Sequence, residues 1–206
     1  MPPPPDSPAP TGPSSTPARQ RRERERAEAR NAIMAAAREL AAEEGWEAVS
    51  MRRLADRIGY SANYAYRYFQ GRDDILLALV RDGFVRLAAA MRASGSTVGS
   101  VSAAYLDFAL DEPDLYQVMY GLGGARVSFA DIATEGAAVA AVVAGALGSD
   151  DPDDDRVTRI WATAHGLAAL YGIGKLETDR ERLHRLLAAS AEDLLRTPKH
   201  PHGGTR

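Results

Sequence analysis

The chain has 206 residues, 45% of them hydrophobic, enough for one good core or two small ones. It has no cysteine, which excludes disulfides, thiolate catalysis and cysteine-ligated zinc, and its four histidines leave little for any other metal site. The net charge of −3 is uneven: residues 19–95 are basic on balance and the remainder is acidic, which suits one end that faces nucleic acid and another that avoids it.

Residues 1–18 are rich in Pro, Ser and Ala, bury too little apolar surface to offset their ordering entropy, and are expected to be a disordered tail. They lack the apolar core of a signal peptide, and no apolar run reaches the ~20 residues that span a membrane, so a cytoplasmic protein without a membrane partner is expected. From Arg19 to Arg30 arginines alternate with glutamates, as in a solvated helix start laced with ion pairs. A basic arm on DNA is the competing reading, best carried by Arg19, Arg21 and Arg22. The first helix runs on to about Glu44 with Ile33, Ala37, Leu40 and Ala41 as its apolar stripe, and Gly45 ends it. Trp46 is expected to pack beneath the next two helices.

Val49–Arg72 reads as two short helices about a glycine turn. Leu54, Ala55 and Ile58 share one face, Gly59 follows the last apolar residue, and Ser61 stands at an N-cap position. Helix, tight turn and helix within about twenty residues is the helix-turn-helix signature. Its second helix carries tyrosine, asparagine and arginine rather than a plain apolar stripe. Tyr64, Tyr66 and Tyr68 are two apart and cannot all share a helix face, so at least one points outward.

A long helix then runs from Arg72 to about Ala93, with Asp73 and Asp74 complementing its N-terminal dipole. Ser94–Ser100 reads as a loop. Further helices follow around Val101–Ala109, then from Pro113, capped by Asp111, to Gly121. Gly123 and Gly124 loosen the next joint, and an Ala/Val-rich helix covers about Arg126–Leu147. The acidic run Asp150–Asp155 lacks the central glycine and distal glutamate of a calcium loop, and is expected to be a linker that caps the next helix. The last two helices span Arg156 to about Ile173 and Thr178 to about Arg196, with Thr178 and Glu181 as a capping box. Their broad apolar faces predict a homodimer joined by a four-helix bundle. Residues 198–206 form a second tail. No strand pattern is present. No nucleophile elbow, phosphate loop or metal-spaced histidine set appears, so no enzymatic role, metal or cofactor is expected.

The residues Ile33, Ala37, Gly45, Val49-Ser50, Leu54-Ala55, Ile58-Gly59-Tyr60-Ser61, Tyr66, Tyr68-Phe69 and Arg72-Asp73-Asp74-Ile75-Leu76 together resemble the tetracycline-repressor (TetR) family of bacterial transcription factors. The C-terminal half, with Trp161, His165 and Gly166 preceded by Tyr105, Phe108, Pro113 and Tyr116, resembles the family's Trp…His-Gly regulatory domain. Ala65 departs from the pattern, standing where the family usually has a larger aliphatic residue. The resemblance implies an all-α fold of about nine helices. It comprises a three-helix helix-turn-helix DNA-binding domain (residues 19–71) and a helical ligand-sensing and dimerisation domain (72–197).

It further implies a homodimer placing two recognition segments, Ser61–Tyr68, in successive major grooves of a palindromic operator. Ala62, Asn63, Tyr64 and Arg67 are then the base-facing candidates, with Asn63 suited to adenine and Arg67 to guanine. The family motif puts Ser50, the Met51 amide, Arg52, Tyr66, Tyr68 and Arg72 on phosphates. An apolar effector would lie among Phe84, Met91, Tyr105, Phe108, Tyr116, Met119, Tyr120, Phe129, Trp161 and His165; each taken singly reads first as plain core, and it is the collection that points to a cavity. The leading expectation is a repressor released by a small apolar ligand. The alternative is a DNA-binding architectural protein or activator without one.

Overall fold

The computed structural model describes residues 16–121 and 128–196, apart from the side chain of Phe129. Residues 1–15 of the tail expected at 1–18, the tail expected at 198–206, and the joint at Gly123 and Gly124 lie outside the described residues, while Pro17 and Ala18 of the first tail are helical. Among those described are nine α-helices and no strand: α1 (Pro17–Glu44), α2 (Met51–Arg57), α3 (Ala62–Tyr66), α4 (Arg72–Ala93), α5 (Val98–Asp111), α6 (Pro113–Met119), α7 (Ala133–Ala146), α8 (Asp155–Gly172) and α9 (Arg180–Arg196).

The boundaries follow local chemistry. Gly45 and Gly59 end α1 and the turn after α2 at φ +85° and +74°, a region that side chains with a Cβ avoid. Ser50 caps α2 by accepting from the Arg53 amide. Ser61 makes no side-chain cap bond, so α3 begins on backbone conformation alone. α1 is already helical at Pro17, and Arg19–Glu23 and Arg21–Glu25 pair across single turns. Ion pairs of the expected kind thus form at the start of this segment.

Four boundaries differ from expectation. The loop after α4 is shorter, because Thr97 caps α5 through the Ser100 amide at 3.1 Å. Asp111 does not cap α6; it ends α5 and binds Arg180, while Pro113 starts α6. The Ala/Val-rich helix opens with a 3-10 turn at Phe129–Ile132 and becomes α-helical at Ala133. Asp179, not Thr178, caps α9: its carboxylate accepts from the Arg182 amide at 2.7 Å, and the Thr178 hydroxyl is buried without a partner. The acidic linker behaves as expected at one residue. Asp154 accepts from the Arg156 amide at 3.0 Å and grips the Arg156 guanidinium, which holds its carboxyl far below the usual carboxylate range.

Helix α4 is the axis of the packing and touches α1, α5, α6 and α7. Buried apolar side chains from Ile33 to Leu194 form one contiguous cluster. Trp46 is buried, but it reaches beyond α2 and α3, since its indole N–H donates to the Asp114 carbonyl on α6 at 3.2 Å. No helix among the described residues is long and apolar enough to cross a membrane.

Candidate DNA-binding face and ligand cavity

The helix-turn-helix is held from behind. Ala65, the one buried residue of α3, and the following Phe69 pack into the core. Arg30 of α1 lies 4.0 Å above the Phe69 ring and donates to the Tyr68 carbonyl. On α2, Arg53 is tied to Glu44 and Arg57 to Glu43, so both point back at the acidic end of α1. Those pairs hold the two glutamate carboxyls below their ordinary range. Arg52 is the freer cation of α2, 89% exposed and 4.0 Å from Asp56.

The outward face of α3 presents Ser61, Asn63, Tyr66 and Arg67, all exposed, with Ala62 half-buried. Tyr66 is 56% exposed and is the tyrosine that points out. Tyr64 is half-buried and stacks on Tyr60, with centroids 4.0 Å apart, while Tyr68 leans on it at 5.1 Å. Arg67 stands 6.0 Å and 5.8 Å from the Tyr64 and Tyr68 rings. The aromatic stack fixes where this guanidinium begins its reach. Met51 buries its side chain but sits in the first turn of α2, where amides lack helical acceptors.

Arg72 is placed otherwise than expected. Its guanidinium turns inward and donates to the Trp46 carbonyl at 3.0 Å, pinning the start of α4 to the turn before α2. Tyr68, likewise, is half-buried in the stack rather than free.

A cavity of about 680 Å³ lies between α4, α5, α7 and α8. The fold brings Phe84, Met91, Tyr105, Met119, Tyr120, Trp161 and His165 to its wall. Phe108 and Tyr116 do not line it. Phe108 is buried away from it, with Arg86 5.9 Å above its ring. Tyr116 stands behind the wall, bonded to Tyr105 and His165. The Phe129 side chain lies outside the described residues. Sequence reasoning missed Ser102 and the α7 face Gly136, Val139, Ala140 and Val143. Ser102 was findable: it is three residues before Tyr105, on the same face of an apolar helix. The α7 residues are small and aliphatic, with nothing to set them apart from core.

The polar groups of the wall are linked. Tyr105 donates to the Tyr120 hydroxyl at 2.9 Å, the Tyr105 and Tyr116 hydroxyls are 3.0 Å apart, and Tyr116 is 2.6 Å from His165 Nδ1. Burial pushes all three phenols up, so they stay protonated, and burial also lowers His165 from its ordinary value of 6.5.

The family description "Bacterial regulatory proteins, tetR family" matches residues 33–79, and "Tetracyclin repressor-like, C-terminal domain" matches residues 98–194. The chain belongs to the TetR family. The first match covers the helix-turn-helix with its flanking helices, and the second contains most of the cavity wall. The TetR-family chain is 32% identical over 66 residues to the transcriptional repressor AcnR of Corynebacterium diphtheriae, a match spanning 32% of this chain and 35% of that protein. Among solved structures it is similar to the protein SCO4313, at 29% identity and TM-score 0.71, covering 84% of this chain and 98% of that one. A TetR transcriptional regulator from Rhodococcus sp. RHA1 shares the fold at 22% identity and TM-score 0.58, covering 81% and 97%.

Proposed function

We propose that this TetR-family member is a DNA-binding transcriptional repressor that acts as a dimer on a palindromic operator and is released by a small, largely apolar molecule. The observation that carries the reading is the sharing of α4: its start packs on α1 and is tied through Arg72 to the Trp46 carbonyl just before the helix-turn-helix, and its later turns wall a cavity large enough for a ligand. Residues 19–71 form the reading head and 72–197 the sensing and dimerising part. Asn63 and Arg67 read bases, with Ala62 and Tyr64 beside them. Ser50, the Met51 amide, Arg52, Ser61 and Tyr66 contact the DNA backbone, while Tyr68 and Arg72 hold these groups in position.

The coupling route is also physical. Glu112, at the junction of α5 and α6, is gripped by Arg38 of α1 and Arg86 of α4. Gly83 of α4 lets Met119 of α6 approach closely, since a Cβ there would stand 2.5 Å from the Met119 sulfur. A ligand pressing on Met119 therefore acts on the crossing of α4 and α6, and through Glu112 on α1. It lowers operator affinity to the extent that it binds better to the DNA-incompetent arrangement.

The dimer forms through α8 and α9, where Leu170, Ile173, Leu186 and Leu195 remain exposed, Ile173 at 65%. Light scattering on the Leu170→Glu/Leu186→Glu protein tests this: a monomer is expected, and an intact dimer would place the interface elsewhere. Selection of bound DNA from a random pool tests the function. A two-fold site with half-sites one helical turn apart, or a multiple of it, is expected. Sequence-blind recovery would favour an architectural role instead.

A further inference from the structure

The polar end of the cavity has a direction, and it follows from counting hydrogens. Each tyrosine hydroxyl carries one. Tyr105 donates to Tyr120, so the Tyr105–Tyr116 bond needs the hydrogen of Tyr116. With that hydrogen committed, the 2.6 Å contact to His165 is closed by Nδ1–H donating to the Tyr116 oxygen. The chain thus runs from His165 through Tyr116 and Tyr105 to Tyr120. Along it, the donor left over is the hydroxyl hydrogen of Tyr120, and the nitrogen acceptor left over is the bare Nε2 of neutral His165. Both residues line the cavity, whereas Tyr116 in the middle of the chain does not.

A second observation lies one turn along α5 from Tyr105. Ser102 is 2% exposed, lines the cavity one turn from Tyr105, and its hydroxyl has no hydrogen-bond partner. A buried unpaired hydroxyl is costly, and this one lies on a cavity wall, where an occupant can supply the missing partner. Charge narrows the occupant. Among the described residues no Lys or Arg lines the cavity, and its acidic member, Asp153, is exposed to solvent at the rim. The deep end offers neutral groups only, because burial keeps the phenols protonated and His165 uncharged.

We propose that the cavity takes an uncharged, largely apolar molecule bearing one hydrogen-bond-accepting oxygen, a ketone, ester or alcohol, seated on the Tyr120 hydroxyl beside Ser102. A carboxylate would lose its hydration there without a cation to offset it, and an ammonium would find no anion at depth. The α4, α7 and α8 walls, aliphatic and aromatic, receive the hydrocarbon part. The inference rests on reading this cavity as the effector site.

Isothermal titration of the full chain, without DNA, with undecan-2-one, undecane, undecanoate and undecylammonium tests it. The ketone is expected to bind at least about tenfold more tightly than either ion. Tyr120→Phe should cost the ketone about fivefold and leave undecane unchanged, the loss of one neutral hydrogen bond. Ser102→Ala is the second variant and decides the matter if the first does not fold; it should weaken the ketone in the same sense. Equal or tighter binding of undecanoate or undecylammonium overturns the proposal. So do a ketone–undecane difference untouched by the variants, and failure of the ketone to bind. Operator titration in the presence of each probe separates the two readings. Ketone-selective binding without any change in DNA affinity would sink the effector role and leave the head-group assignment standing. Release of DNA by a charged probe would do the reverse.

Discussion

The two ends of α4 live in opposite surroundings. Near its start Ile75, Leu76 and Leu79 lie in one core cluster with Ile33, Leu40, Leu54 and Phe69, and every one of these is at most 1% exposed. Farther along, Phe84 and Met91 face about 680 Å³ of cavity. Tight packing is what fixes side-chain positions to the tolerance that reading base edges needs. A hollow forfeits dispersion contacts on one side of each wall residue, and a chain keeps such a hollow where binding requires the volume. The same helix therefore serves as a rigid anchor at one end and a deformable wall at the other.

The largest test of this contrast is Phe69→Ala. It removes a fully buried ring and the seat of Arg30, and should cost about 3–5 kcal/mol. Val143→Ala, at the cavity wall, should cost well under half as much because the side chain already lacks neighbours on one side. Urea midpoints of the two variants compare them directly, and equal losses would dissolve the distinction.

Arg67→Ala should reduce operator affinity by about 1–3 kcal/mol and relax preference at one base position. Arg72→Ala should weaken binding to all sequences, since it releases Trp46 and the start of α4. If titrations across operator variants and salt gave both the same preferences and slopes, the division between reading and positioning residues would be wrong. At the sensing end, Asp154→Ala removes the α8 cap and strands Arg156. A loss of about 1–2 kcal/mol is expected in thermal unfolding, and an unchanged midpoint would mean that another group takes over the cap.

The smallest effect is a pH dependence. His165 is neutral in the fold, with its pKa below the ordinary 6.5. Below about pH 6.5 the unfolded chain takes up a proton here that the folded chain refuses, so this residue costs stability as pH falls and contributes nothing above. The difference in stability between the native chain and His165→Gln should shift in that sense between pH 7.5 and 5.5. A flat difference would mean that the histidine is not held in the neutral, donating tautomer that the tyrosine chain requires.

Much of this was legible in the sequence where the cause is local. The helix stripes of Ile33, Ala37 and Leu40 and the stops at Gly45 and Gly59 come from periodicity and backbone preference within a few residues, whereas Ser50, not the expected Ser61, makes a side-chain cap. Where a neighbouring residue could serve equally well, the reading slipped. Thr178 and Asp179 are both competent caps, and the carboxylate, placed three residues before Arg182, took the role. Of the residues expected at a cavity wall, the fold brings seven together, while Phe108 meets Arg86 and Tyr116 stands behind the wall.

The sequence by itself determined the kind of elements, their order and the constellation from Ile33 to Leu79 that marks the family, because each depends on spacing along the chain. Only the tertiary structure decided which way Arg72 turns and that four polar groups from three helices join into one directed chain at a cavity. Those outcomes depend on which helix faces meet across the core. Side chains far apart in sequence carry no mark of the partner they will find.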